Sequence, residues 1–102
     1  MLNLTGNRLQ QLVEHNFDGL HSLRTLVLDH NLIKSVTSAA FHHLSQLEHL
    51  SLANNLIRDL APRIFFKLHA LKHLNLDYNK LLIIDEEIFK DIRNLQVSLQ
   101  II

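Results

Sequence analysis

Cysteine and tryptophan are absent from the sequence, proline occurs once and glycine twice. Without a thiol there is no disulfide framework, no thiolate zinc site and no cysteine nucleophile. Gly6 and Gly19 stand apart, so no glycine-rich loop is available to wrap a phosphate, and no His-Glu-x-x-His pattern offers a metallohydrolase site. An excess of one charge sign is missing too, because ten Lys and Arg offset ten Asp and Glu, for a formal net charge of zero. That excludes the basic footprint by which a chain holds nucleic acid or an anionic membrane surface. The longest purely apolar run, Leu81–Ile84, falls far below the roughly 20 residues that cross a bilayer as a helix. No basic stretch followed by a signal-type apolar run stands at the N-terminus.

What the chain has instead is a period. Asparagine recurs at positions 7, 31, 55 and 79, a spacing of 24 residues, each time in the same frame of leucines. Leu23-x-x-Leu26-x-Leu28-x-x-Asn31-x-Ile33 returns as Leu47-x-x-Leu50-x-Leu52-x-x-Asn55-x-Ile57 and as Leu71-x-x-Leu74-x-Leu76-x-x-Asn79-x-Leu81. A clipped first copy reads Leu2-x-Leu4-x-x-Asn7-x-Leu9. Three further apolar columns keep the spacing: Leu12, Val36, Leu60 and Ile84; Phe17, Phe41, Phe65 and Phe89; Leu20, Leu44, Leu68 and Ile92. Leu26 and Leu28 alternate with Thr25, Val27 and Asp29, the two-residue period of a short strand buried on one face. Strands repeated at constant spacing stack side by side in a parallel sheet. Where the chain turns out of each strand its backbone groups need partners, which a buried amide can supply by donating and accepting together. Asn7, Asn31, Asn55 and Asn79 are therefore expected to form an inward structural ladder, and the phenylalanines a core spine.

These motifs resemble the leucine-rich repeat, and a unit ending in x-x-x-Phe-x-x-Leu is similar to the "typical" subfamily of Toll-like, chaoptin-like, Slit-like and hormone-receptor ectodomains. The resemblance implies an α/β fold, a leucine-rich repeat solenoid with short parallel strands on its concave face and irregular or short helical segments on its convex side. The expected organisation is one domain over 1–102: a partial repeat 1–22, repeats 23–46, 47–70 and 71–94, and a frayed or capping strand 95–102. It further implies a non-catalytic protein-recognition module without cofactor, within an extracellular receptor or adhesion protein. Extracellular members usually close their ends with cysteine-containing caps, which this sequence lacks, so a piece of a longer secreted protein is expected. The alternatives are structural spacer repeats within a larger ectodomain, or a small intracellular repeat scaffold.

The expected contact surface for a protein partner is the exposed side of the strands: Thr25, Val27, Asp29, His30, His49, Ser51, Asn54, His73, Asn75, Asp77 and Tyr78. Tyr78 is its best single anchor, an amphipathic ring of low entropic cost, with His30 in the same column. His49 and His73 share a strand position in adjacent repeats, which places them about 5 Å apart, but two ligands do not close a metal site and none is expected. His15, His21, His42, His43 and His69 fall in the outer half of their repeats and are expected on the solvated surface. Asn3-Leu4-Thr5 matches the N-glycosylation acceptor.

Two places break the frame. Ser98 and Gln100 stand where leucine is due, with Val97 and Leu99 displaced by one residue. Either one residue is lost after Leu95 and Val97 and Leu99 still face inward on a frayed last strand, the favoured reading, or Gln96–Ile102 is sequence unrelated to the repeat. Leu82 and Ile83 occupy positions that carry Lys34 and Ser35, or Arg58 and Asp59, in earlier repeats. A following repeat that covers them, or a partner or homodimer contact on the flank, are the two readings of that apolar pair.

Overall fold

A computed structural model of the chain describes residues 1–90, 92 and 95–100. Five parallel strands form one sheet in chain order: β1 (Leu2–Asn3), β3 (Thr25–Val27), β5 (His49–Ser51), β6 (His73–Asn75) and β7 (Gln96–Ser98). Two shorter strands, β2 (Gln11–Leu12) and β4 (Ser35–Val36), pair in parallel as a second sheet. Among the described residues, regular helix is confined to two 3-10 turns, Glu14–Phe17 and Glu86–Phe89. The chain is thus a parallel-strand solenoid, with the strand period expected from Leu26, Leu50 and Leu74 and only short helical turns on its outer side.

Each of β3, β5 and β6 buries its central leucine at 0 to 2% exposure and leaves both flanking side chains at least partly open, which is what an alternating strand with one buried face requires. Registers Leu26↔Leu50 and Leu50↔Leu74 keep the leucines in one row. The last strand joins by the one-residue slip, the favoured of the two readings, because Leu74 pairs with Val97 and His73 with Gln96. Losing one residue from the repeat keeps Val97 in register with the leucine row; without the loss Ser98 and Gln100 would take the leucine positions. Ile101, Ile102, Arg93 and Asn94, at the end of that expectation, lie outside the described residues.

The outer half of each repeat is sealed by phenylalanine. Phe17, Phe41, Phe65 and Phe89 stack near-parallel with centroids 6.3, 6.0 and 6.2 Å apart. Fully burying such a ring is worth roughly 1.5–3 kcal/mol relative to water, so this row is a large share of the core. Ala40, Ile64 and Ile88, each preceding a phenylalanine, form a further buried row. In front of the strands, Glu48 lies between Arg24 and Lys72, with Arg24 Nε at 3.8 Å from one carboxylate oxygen and Lys72 Nζ at 3.4 Å from the other.

The asparagines tie each repeat to its predecessor. Asn55 Nδ2 donates to the carbonyls of Leu52, Ala53 and Leu28, while its Oδ1 accepts the Ile33 N–H. Asn31 repeats the pattern with Leu28, Asp29, Leu4 and the Leu9 N–H, and Asn79 with Leu76, Asp77, Leu52 and the Ile57 N–H. Asn7 differs from the inward ladder expected of it: it is exposed and, among the described residues, donates only to the Leu4 carbonyl. The two cross-repeat partners of the other asparagines belong to the preceding unit, and for Asn7 those positions fall before Met1.

Candidate functional site

On the side opposite the leucines, strand register fixes two columns. Thr25, His49, His73 and Gln96 form the first, and Val27, Ser51, Asn75 and Ser98 the second. A groove of about 370 Å³ runs along them. The imidazoles of His49 and His73 stack face to face, with centroids 4.7 Å apart and planes 4° from parallel. That distance is the spacing of neighbouring strands, about 4.8 Å, so the sheet itself sets the stack. Gln96, which the sequence reading left out, extends the column across the slipped strand.

Outside the residues that line the groove, Asp29 and Asp77 are each bonded to the following repeat. Asp29 Oδ1 accepts the Ser51 hydroxyl at 2.5 Å and the Ala53 N–H at 3.0 Å. Asp77 Oδ1 repeats this with the Ser98 hydroxyl at 2.7 Å and the Gln100 N–H at 2.8 Å, and the Asp77 N–H donates to Asn75 Oδ1 at 2.9 Å. In each carboxylate one oxygen locks the next strand, and the other has no partner among the described residues. The Ser51 hydroxyl is committed to Asp29 and not to an imidazole, so no nucleophile–base pair is assembled there.

His30, Asn54 and Tyr78 do not continue the strand alternation. Their φ values are 55°, 58° and 59°, and Gly6 in the same column has 77°, so all four are left-handed turn residues. The turn lets each N–H reach the next repeat: Gly6 to Asp29 O, His30 to Ala53 O, Asn54 to Asp77 O and Tyr78 to Gln100 O. Tyr78 is 37% exposed, but its hydroxyl already donates to Gln100 Oε1 at 2.6 Å. It presents a ring to a partner while its polar tip is occupied.

The outer histidines divide. His15, His21 and His69 are exposed, but His42 and His43 are half-buried, against the expectation of a solvated set. Asp18 is the reason at His43, since its carboxylate meets His15 Nδ1 at 3.0 Å through one oxygen and His43 Nε2 at 3.2 Å through the other. The Asp18 hydrogen bond and charge, with Glu14 behind them, raise the His15 pKa above 6.5. His42 stands edge-on to Phe66 at 5.3 Å, with its buried Nε2 lacking a partner among the described residues. Asn3 is exposed on β1; its Oδ1 accepts both the N–H and the hydroxyl of Thr5, and its Nδ2 has no partner among the described residues.

Sequence reasoning missed the aspartate locks and the Ala40–Ile64–Ile88 row. Both carried a signal: a serine follows Asp29 and Asp77 at the same place on the next strand, and the buried row keeps the repeat spacing apart from Asn16 in the first unit. Among the described residues no three His, Asp or Glu side chains gather in a metal-holding group, and no helix is long and apolar enough to cross a membrane.

A family model described as leucine rich repeat matches residues 1–57 and again 46–97. No curated protein matches the chain closely enough to count as a relative.

Proposed function

The chain belongs to the leucine-rich repeat family, and from that premise we propose that it is a non-catalytic recognition module that holds a protein partner on the concave face of its sheet. The family's repeats generally mediate protein–protein interaction and are typically without enzymatic activity. The observation that carries the reading to this face is the groove itself, with stacked imidazoles along one column and, beside its lining, two carboxylates each tied to the next repeat. Such groups recognise a partner at low entropic cost because they are already ordered before it arrives. The free carboxylate oxygens suit N–H donors of the partner, and the flat imidazole faces suit apolar or aromatic side chains.

The test is site-specific photo-crosslinking in cells that make the protein, with the crosslinker at Ser51 or Asn75 on the face and at His69 on the outer side. Discrete crosslinked proteins from the two face positions alone support the reading. Equal labelling from His69, or none from the face, leaves these repeats as a spacer.

A receptor or adhesion role at the cell surface is the finer form of the same proposal. It is supported by the resemblance of the repeat unit to extracellular ectodomains and by the exposed acceptor amide of Asn3.

A further inference from the structure

Beyond the sheet face, the chain presents a second surface. After each ladder asparagine it runs outward alongside the same segment of its neighbour, with the Leu32 N–H donating to Leu9 O, Leu56 to Ile33 O and Lys80 to Ile57 O at 2.8 to 2.9 Å. Those bonds set two rows on the flank: Arg8, Leu32, Leu56, Lys80, and Gln10, Lys34, Arg58, Leu82. Leu32 is 43% exposed, Leu82 89% and Ile83, the residue after it, 83%.

Stacking does not account for this apolar surface. Lys34 and Ser35, and Arg58 and Asp59, are the counterparts of Leu82 and Ile83 in repeats flanked on both sides, and all four are nevertheless exposed. Because those positions stay exposed with a neighbour on each side, a further repeat is not expected to bury Leu82 and Ile83. Two large aliphatic side chains placed where the other repeats carry charged or hydroxyl groups require an occupant from outside the solenoid.

Charge says what that occupant is. A groove of about 700 Å³ on this flank is lined by Leu56 and Leu82 together with Lys34, Arg58, Lys80 and Asp59. Three cations against one carboxylate leave it at +2 in a chain of zero net charge, and none of the three has an ion-pair partner among the described residues. A second copy of the chain would set cation against cation, and a basic partner would be repelled. We infer that this flank is a second docking surface, taking an acidic peptide segment whose large apolar side chains cover Leu56, Leu82 and Ile83 while its carboxylates meet Lys34, Arg58 and Lys80.

The probe is a random-peptide display library panned on the immobilised chain and depleted on the Leu82→Ser/Ile83→Ser variant. Peptides that survive should combine Asp or Glu with Leu, Ile or Phe. A fluorescein-labelled peptide of that consensus should lose about tenfold in affinity on the depleting variant and on Lys34→Glu/Arg58→Glu, as removal of an anchor or reversal of a charge pair does. Its binding should also weaken as salt rises from about 50 to about 500 mM, since exposed charges are screened over that range. Ser51→Ala should leave it unchanged, which separates this surface from the sheet face. All the altered side chains on the flank are exposed, and circular dichroism melts verify that the variants keep the wild-type fold. Survivors without acidic residues, no survivors at all, or variants that bind as well as wild type overturn the inference. So does a wild-type dimer in ultracentrifugation that Leu82→Ser/Ile83→Ser dissolves, because the occupant is then a second copy.

Discussion

Asn55 donates its amide to the Leu28 carbonyl oxygen, 27 residues earlier, at 3.0 Å, and so stitches the turn of one repeat to the turn before it. Its Oδ1 at the same time covers the Ile33 N–H. Replacing Asn55 by Ala leaves buried backbone groups without partners and should destabilise the domain by roughly 1–3 kcal/mol. Asn7→Ala, at an exposed site with one bond, should cost less than about 0.5 kcal/mol. Urea unfolding of both variants with unchanged slope checks the pair; equal costs would show that the cross-repeat bonds add nothing.

The left-handed turn predicts an unusual substitution order. At His30, φ is 55°, where a β-branched side chain is strained, so His30→Val should cost about 1–2 kcal/mol more than His30→Gly or His30→Asn. Thermal melts of the three variants read the difference. For the same reason a part played by Tyr78 in the proposed partner binding is best probed with Tyr78→Asn, which tolerates this backbone.

His15 supplies the pH prediction. Its pKa is raised, chiefly by the hydrogen bond to Asp18, so its protonated form is favoured by folding. The stabilisation is therefore fully present below the unfolded pKa, near 6.5, and is lost as pH rises through the higher folded value. An NMR titration should place the His15 midpoint above 6.5, and Asp18→Asn should bring it down. A midpoint insensitive to Asp18→Asn would remove the aspartate as the cause.

Passage through a eukaryotic secretory pathway should add a glycan at Asn3, an exposed residue whose Nδ2 has no partner among the described residues. Intact-mass analysis before and after enzymatic deglycosylation detects it, and Thr5→Ala should abolish it. A secreted chain of unmodified mass counts against modification at this site.

The repeat period made the sheet, the phenylalanine spine and three of the ladder asparagines legible, because each rests on burial or on backbone hydrogen bonding that the chain must satisfy at regular intervals. The slip at Val97 was legible for the same reason: polar Ser98 and Gln100 could not take leucine positions. Less could be read of the candidate site. Nothing in the spacing of His30, Asn54 and Tyr78 announces a positive φ when Gly6 is the only glycine among the four. The Asp29–Ser51 and Asp77–Ser98 locks join residues of neighbouring strands, and their meaning appears once the register brings the side chains together. Asp18 likewise reaches His43 across repeats, which moved a histidine from the solvated set to a paired one.

Glu48 between Arg24 and Lys72 bears on how such an array can grow. The three residues occupy one position in successive repeats, so their signs read plus, minus, plus along the stack. Copying repeat 47–70 in tandem would set glutamate against glutamate, a juxtaposition that costs a few tenths of a kcal/mol or more. Copying 23–70 as a block would keep the signs alternating. The units are interchangeable in their cores but not in their edges, and lengthening this protein by design calls for pairs of repeats as the building block.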